Sequence, residues 1–316
     1  MKISYVGNFR PAYSTENDIA TAFESLGHEV VKLQEDANTA STVASHALSS
    51  DLLLITSTWD NALSLVDMID LFKRCADAGV KTATVHLDTF WSTPRHGRKW
   101  WLNPMFHTAY IFTADGDYQD KWEAFGKKHI WMPPAVRHTA AHDGQYNSLY
   151  DCDVAFVGSN GIGYHEDVWG YRKELVDNLR EMCRRNGWTF RNPGGDNPKV
   201  DRGDSLNDFY ASARVTIGDS LCLNKEASQY WSDRVPEATG RGGLLIMPKI
   251  DALGDLYKGS LPMYDWGDYT DLESKIRLYL EDKKLNANTR KKTASITRAG
   301  YTYTNVAQKI IDEVTK

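Results

Sequence analysis

Two hydrophobic rhythms alternate along the chain. Short, nearly continuous apolar runs give way to longer segments in which apolar residues recur every three or four positions. The first pattern predicts strands buried on both faces, and the second predicts amphipathic helices. In the first half, Lys2–Gly7, Glu29–Leu33, Asp51–Thr56, Lys81–His86, Thr108–Thr113 and His129–Met132 read as strands. Between them, Glu16–Leu26 reads as a helix capped by Ser14 or Thr15 and stopped by Gly27, and Thr39–Leu48 as a weak helix. Asn61–Ala78 reads as a strong helix with Leu65, Ile69, Phe72 and Ala76 on its buried stripe, and Asp117–Phe125 as a short one.

Pro133-Pro134 ends this set, and the polar segment Ala135–Tyr150, carrying Gly144, reads as a linker. The alternation then restarts. Strands are predicted over Cys152–Gly158, Trp188–Arg191, Arg214–Gly218 and Leu244–Met247. Helices are predicted over Trp169–Asn186, Leu206–Ala213, Asp233–Thr239, Leu253–Tyr257, Thr270–Glu281, Lys284–Arg298 and Val306–Val314. Two successive βαβ sets without a sustained short repeat predict an α/β chain of two Rossmann-like domains.

Composition changes this picture little. The 316 residues suffice for two domains of ordinary size. Charged residues are 25% and hydrophobic residues 41%, ordinary for a globular protein, and no run is apolar enough to span a membrane. Cys75, Cys152, Cys183 and Cys222 lack metal-like spacing and read as reduced thiols of a cytoplasmic protein. The net charge of −5 argues against a dedicated sequence-independent DNA binder, although local basic patches can still serve a nucleic acid.

Gly218–Gly243 is the densest stretch of candidate chemistry. A strand runs into it and another runs out. Ser232 or Asp233 is placed to cap the helix Asp233–Thr239, whose free N–H groups would suit a phosphate. Glu237, one turn in, would suit the vicinal hydroxyls of a ribose. Spacing alone equally allows a plain helix start with a solvated Glu. His86-Leu87-Asp88 closes a strand at the sheet edge that lines ligand crevices, where a His is either structural or catalytic. Gly7-Asn8-Phe9-Arg10 and Gly158-Ser159-Asn160-Gly161-Ile162-Gly163 follow strands but lack the dinucleotide fingerprint. The second loop could bind phosphate through successive N–H groups, with Arg172 on the next helix adding charge. Arg95-His96-Gly97-Arg98-Lys99-Trp100-Trp101 combines cations for phosphates with indoles for bases or sugars.

The run Ser232-Asp233-Arg234-Val235-Pro236-Glu237-Ala238-Thr239-Gly240-Arg241-Gly242-Gly243, followed by Leu244-Leu245-Ile246, resembles the donor-site signature of GT-B glycosyltransferases. It is most similar to the family 4-like and spore-maturation (CgeB-like) groups, which include phage-encoded members. Their pattern is roughly Ser-x-Arg-(Val/Phe)-x-Glu-Ala-x-(Gly/Ala)-x-Gly-Gly before a strand. Many family 4 enzymes carry a second Glu eight residues before the ribose Glu, and here Gln229 stands in its place.

The resemblance implies two domains facing across a cleft. The N-terminal domain (residues 1–140) would serve the acceptor and the C-terminal domain (150–300) the nucleotide-sugar donor. A final helix (301–316) would cross back to the first domain. It implies transfer of a hexose, by family habit glucose from UDP-glucose, to a hydroxyl, with retention and without a required cofactor or metal. Glu237 would bind ribose; Ser232, Arg234 and the Gly158–Gly161 loop (Gly158, Ser159, Asn160) would bind the phosphates, with Arg172 and Asp233 also among the donor-binding residues. Asp219, Ser220 and Trp231 would lie near the base or sugar. Gly7 and Asn8 would approach the donor, and His86 would bind its sugar, with Asp88 orienting His86 or activating an acceptor hydroxyl. Some related phage enzymes act on hydroxymethylated pyrimidines in DNA, so Arg95, Arg98, Lys99, Trp100 and Trp101 become candidate acceptor contacts. A protein or small-molecule acceptor also fits the net charge, and a monomer or homodimer is expected.

Three other readings compete. Asp115-Gly116-Asp117, after an apolar strand, matches the metal motif of GT-A glycosyltransferases, but it leaves the Glu237 helix unexplained. A two-domain nucleotide-sugar epimerase would share the donor site. A non-catalytic sugar-nucleotide binding protein would share it too.

Overall fold

A computed structural model describes residues 1–56, 64–91, 103–160, 170–195, 200–220 and 228–316. The chain forms two compact units, Met1–Pro133 together with Tyr303–Lys316, and Pro134–Thr302.

The first unit is built on a six-stranded parallel sheet. Its strands are β1 (Lys2–Gly7), β2 (Glu29–Gln34), β3 (Leu52–Thr56), β4 (Lys81–His86), β5 (Tyr110–Thr113) and β6 (Lys128–Trp131), in the order β2-β1-β3-β4-β5-β6. β3 is buried at every position, as its unbroken apolar run requires, and pairs Ile3 with Leu52 and Leu53 with Thr82. Helices α1 (Thr15–Ser25), α2 (Ala40–Ala47), α3 (Leu65–Asp77) and α4 (Gln119–Ala124) make the crossovers. Ser14 and Thr39 cap the first two by accepting from Asn17 N and Thr42 N.

In α3 the buried stripe is Met68, Leu71, Phe72 and Cys75. The expected stripe of Leu65, Ile69, Phe72 and Ala76 is rotated from this by about one residue, and Ile69 is exposed. Both stripes satisfy helical spacing. Met68 and Cys75 take the core facing Val6, Leu33 and Leu53.

The second unit carries β7 (Cys152–Phe156), β8 (Phe190–Arg191), β9 (Ala213–Ile217), β10 (Leu245–Pro248) and β11 (Met263–Tyr264), parallel in the order β11-β10-β9-β7-β8. Its helices are α5 (Gly170–Asn186), α6 (Asp204–Ser212), α7 (Arg234–Gly240), α8 (Asp251–Leu256), α9 (Tyr269–Glu281) and α10 (Lys283–Gly300). The chain then returns to the first unit, where α11 (Tyr303–Thr315) packs on α1.

The segment read as a linker, Ala135–Tyr150, is docked into the second unit instead. Asn207 Nδ2 donates to Ala140 O at 2.9 Å and to His142 O at 2.8 Å, and Asn147 N donates to Ser212 Oγ at 2.8 Å. Gly144 presses on the Asn207–Asp208 backbone, where no side chain would fit. Several of its polar side chains remain exposed, while its backbone groups are bonded by α6.

α7 is short, and neighbours hold it. Thr239 Oγ1 meets Thr297 Oγ1 of α10 at 2.7 Å, and Tyr257 OH reaches both hydroxyls at 3.1 and 2.9 Å. Gly240 lets this helix approach closely, since a Cβ there would lie 2.7 Å from Val136 Cγ1. Cys75, Cys152 and Cys183 are free and buried, while Cys222 lies outside the described residues.

Candidate active site

In the second sheet β7 is followed in sequence by β8 on one side and β9 on the other. The gap between β7 and β9 is therefore the topological switch point, where open α/β sheets bind ligands beyond their carboxyl ends. Two loops leave the sheet there, Val157–Asn160 and Gly218–Ser220.

Asp219 sits between them, fully buried, and binds two arginines. Arg172, in the first turn of α5, places Nε 2.9 Å from Oδ2, and Arg234, the first residue of α7, places Nη1 2.8 Å from Oδ1. Arg172 Nη1 also donates to Ser159 Oγ at 2.9 Å, and Arg234 Nε to Val157 O at 2.6 Å. Both guanidinium groups lie over the Phe156 ring, 5.9 and 5.4 Å from its centroid. Burial lowers the Arg172 pKa, and the Asp219 charge opposes that shift. The cluster therefore holds two cations against one buried carboxylate, an arrangement ready for an anion.

Glycines make room for it. A Cβ on Gly158 would stand 2.8 Å from Arg234 Nη2. A Cβ on Gly194 would stand 2.6 Å from the Gly158 backbone, so the two loops touch main chain to main chain. Asn160 joins the same contact by accepting from Asn192 Nδ2 at 2.5 Å. Ser220 is fully buried, and its Oγ has no hydrogen-bond partner among the described residues.

Neither Ser232 nor Asp233 caps α7 with its side chain. Ser232 Oγ donates instead to Asp219 O at 2.8 Å, and Asp233 pairs with Arg202 at 2.6 Å. The expected side-chain cap is therefore absent, and both side chains are engaged by other partners. Glu237 is neither solvated nor isolated. It is buried, and its Oε2 accepts from Arg241 Nε at 2.8 Å. Arg241 is itself buried, donating to Gly203 O and Arg202 O at 3.0 Å each and to Asn207 Oδ1. Arg241 and Arg202 were not singled out from sequence. The i,i+4 spacing of Glu237 and Arg241 was the available signal for the first. Trp231 is buried beside this stretch, and Gln229 is exposed.

A model of the glycosyl transferase-like family matches residues 151–312, just over half of the chain. The chain belongs to this glycosyl transferase-like family. No curated protein sequence matches this glycosyltransferase. Solved structures do. An alpha-glucosyltransferase in complex with UDP-glucose and DNA containing an abasic site is similar with a TM-score of 0.69 and 10% identity, over 100% of this chain and 99% of that one. An alpha-glucosyltransferase in complex with UDP and a 13-mer DNA containing a HMU base has a TM-score of 0.69 and 10% identity, over 100% of both chains. The N-terminal domain of Candida albicans trehalose-6-phosphate phosphatase has a TM-score of 0.62 and 11% identity, over 99% of this chain and 96% of that one. At such identities the likeness speaks for the fold, which is the GT-B fold of two Rossmann-like domains. The GT-A reading of Asp115-Gly116-Asp117 is corrected accordingly.

In the glycosyltransferase's first unit, Gly7, Asn8, His86 and Asp88 lie at the carboxyl ends of β1 and β4. A Cβ on Gly7 would stand 2.6 Å from Glu16 Cγ, and Asn8 Oδ1 accepts from Gln34 Nε2 at 3.3 Å. His86 is fully buried with its ring edge on Phe90, and Asp88 is half-buried. Arg95, Arg98, Lys99, Trp100 and Trp101 lie outside the described residues. No helix among the described residues is long and apolar enough to cross a membrane.

Asp115 is fully buried, and its Oδ2 accepts from Phe90 N at 3.1 Å, so it pins the turn after β4. Burial, reinforced by the Asp117 charge, pushes its carboxyl up to about 6. The folded chain thus holds this proton more tightly than the unfolded chain. The stability it contributes is full below about pH 4 and is lost as pH rises toward about 6. Asp115→Asn is expected to stabilise the protein at pH 7 by on the order of 2 kcal/mol and to leave it unchanged near pH 4. Urea unfolding at both pH values checks this. An equal effect at both would show that the proton plays no part.

Proposed function

We propose that this glycosyltransferase moves glucose from UDP-glucose to a hydroxyl acceptor, a 5-hydroxymethylpyrimidine in DNA. The observation that carries the donor half is the Arg172–Asp219–Arg234 cluster at the switch point, with its excess positive charge. When the glycosidic bond breaks, negative charge collects on the departing UDP. Arg172 and Arg234, fixed beforehand by Asp219, Ser159 and Val157, would stabilise that charge without reorganising. Glu237, oriented by Arg241, would accept from the ribose hydroxyls. Ser220 Oγ offers a donor toward the base or sugar. The scheme requires no metal, because the guanidinium groups neutralise the diphosphate.

We assign donor binding to the second unit and acceptor binding to the first, with His86 at the donor sugar and Asp88 supporting it. Transfer would proceed with retention of configuration, in the cytoplasm. Within the family, we assign the chain to the family 4-like and spore-maturation groups on the likeness of its Ser232–Gly243 motif. The acceptor assignment draws on the whole-chain likeness to glucosyltransferase complexes that hold DNA, and on the basic, aromatic run Arg95–Trp101.

The test is UDP release from UDP-glucose, in EDTA, with duplex oligonucleotides containing 5-hydroxymethyluracil, 5-hydroxymethylcytosine or neither. Release and a gain of one hexosyl in mass, confined to the hydroxymethylated duplexes, are expected. Release that ignores DNA but follows a small sugar acceptor would overturn the acceptor assignment. Glu237→Ala is expected to lower kcat/KM roughly 10- to 100-fold by removing a charged hydrogen-bond acceptor. It should also abolish thermal stabilisation by UDP. An unchanged UDP response would remove Glu237 from the donor site.

A further inference from the structure

We propose that Arg202 is a third diphosphate-binding residue, held back in the ligand-free protein by Asp233, which competes with the donor for it. The proposal rests on the donor site above.

Five observations lead to it. Arg202 Nη2 lies 2.6 Å from Asp233 Oδ2 and 3.9 Å from Glu237 Oε1, so its guanidinium stands beside two of the three candidate donor carboxylates. This pair is about half exposed at each end (45% and 44%), whereas Asp219 is sealed. An exposed ion pair of that kind is weak and exchanges readily for a better partner. A phosphate offers two oxygens to the fork of an arginine and is a better one.

The backbone beneath Arg202 is already fixed. Arg241, buried, grips the carbonyls of Arg202 and Gly203 at 3.0 Å each. The guanidinium can therefore swing off Asp233 while its loop stays in place. Among the described residues, the Asp233 carboxylate makes no hydrogen bond other than that to Arg202. It stands at the N-cap position of α7, yet its side chain caps no N–H there.

Asp233 also locates the ligand. Partial burial works to raise its carboxyl, but the charges of Arg202 and Arg234, with Arg172 beyond, prevail and hold it below the ordinary carboxylate range. One carboxylate thus lies within the field of all three guanidinium groups. A diphosphate seated on Arg234 and Arg172 would enter the same field, and Arg202 would transfer to it. Asp233 then acts as an internal stand-in for the ligand's own charge.

The experiment is calorimetric titration of UDP and of uridine into the wild type and into Arg202→Ala, Asp233→Asn and the double variant. Both side chains are partly exposed, and unchanged melting temperatures without ligand confirm folding. Arg202→Ala is expected to weaken UDP about tenfold and leave uridine unaffected. Asp233→Asn is expected to tighten UDP several-fold. The double variant should bind like Arg202→Ala, because the gain is exerted through Arg202.

Three results would overturn the proposal. One is UDP affinity indifferent to Arg202. Another is weaker binding in Asp233→Asn. The third is tightening that persists in the double variant, which would trace the gain to plain repulsion by Asp233. Any of these can occur while Glu237→Ala still abolishes UDP binding, so the donor site itself would stand. If the wild type binds no UDP, the donor site and this role for Arg202 fall together.

Discussion

Asp219→Ala is expected to destabilise the protein by about 3–5 kcal/mol, the cost of leaving buried charge without its counter-ion. Arg172 and Arg234 both spend their charge on this one carboxylate, which is fully buried. Without it two guanidinium groups would face each other beside the Phe156 ring with nothing between them. For a domain of roughly 150–250 residues, each kcal/mol lowers the melting temperature by about 2–4 °C. A fall of roughly 6–20 °C should therefore appear in thermal unfolding. Added pyrophosphate should recover part of it, by supplying the missing negative charge. A variant melting with the wild type would mean that solvent reaches the pair and that the cluster is not a built anion site.

Arg234→Ala is expected to behave in the opposite way, with little loss of stability and a large loss of rate. Asp219 keeps Arg172 as its partner in this variant, and Ser232 still donates to the Asp219 carbonyl. On the proposed reading, what disappears is one fixed donor for the leaving diphosphate. Losing such a donor typically costs about 10²–10³ in kcat. Arg234→Lys should recover only a fraction, because an ammonium cannot reach Val157 O and Asp219 together while facing a phosphate. Single-turnover rates with saturating UDP-glucose would separate this effect from weaker binding. A rate within a few-fold of wild type would exclude Arg234 from the chemistry.

The strands were legible because parallel strands buried on both faces leave an unbroken apolar run, as Leu52–Thr56 does. β11 escaped notice because Met263–Tyr264 is too short to make a pattern. The α3 stripe was displaced because two helical phases fit its residues, and only packing chooses between them. The donor stretch was legible as a motif, but not as a set of contacts. Asp219 reads as a ligand contact, and its pairing with two arginines was not legible. Ser232 and Asp233 read as caps, yet each is drawn away by a partner that folding supplies. The Arg202–Asp233 pair spans 31 residues of sequence, and Arg241 reaches Asn207 across 34. Neither separation carries any periodicity to read. Local spacing identifies which residues can do chemistry. Long-range pairing decides which of them are left available for a ligand.

The main-chain contact between Gly158 and Gly194 bears on how this enzyme can be redesigned. At Gly158 and Gly194 no side chain separates the two loops, so neither has slack there to absorb a change in the other. Grafting a foreign loop at Val157–Asn160 would fail unless Asn192–Gly195 came with it from the same parent. The two loops form one transplantable module, although more than thirty residues of chain lie between them.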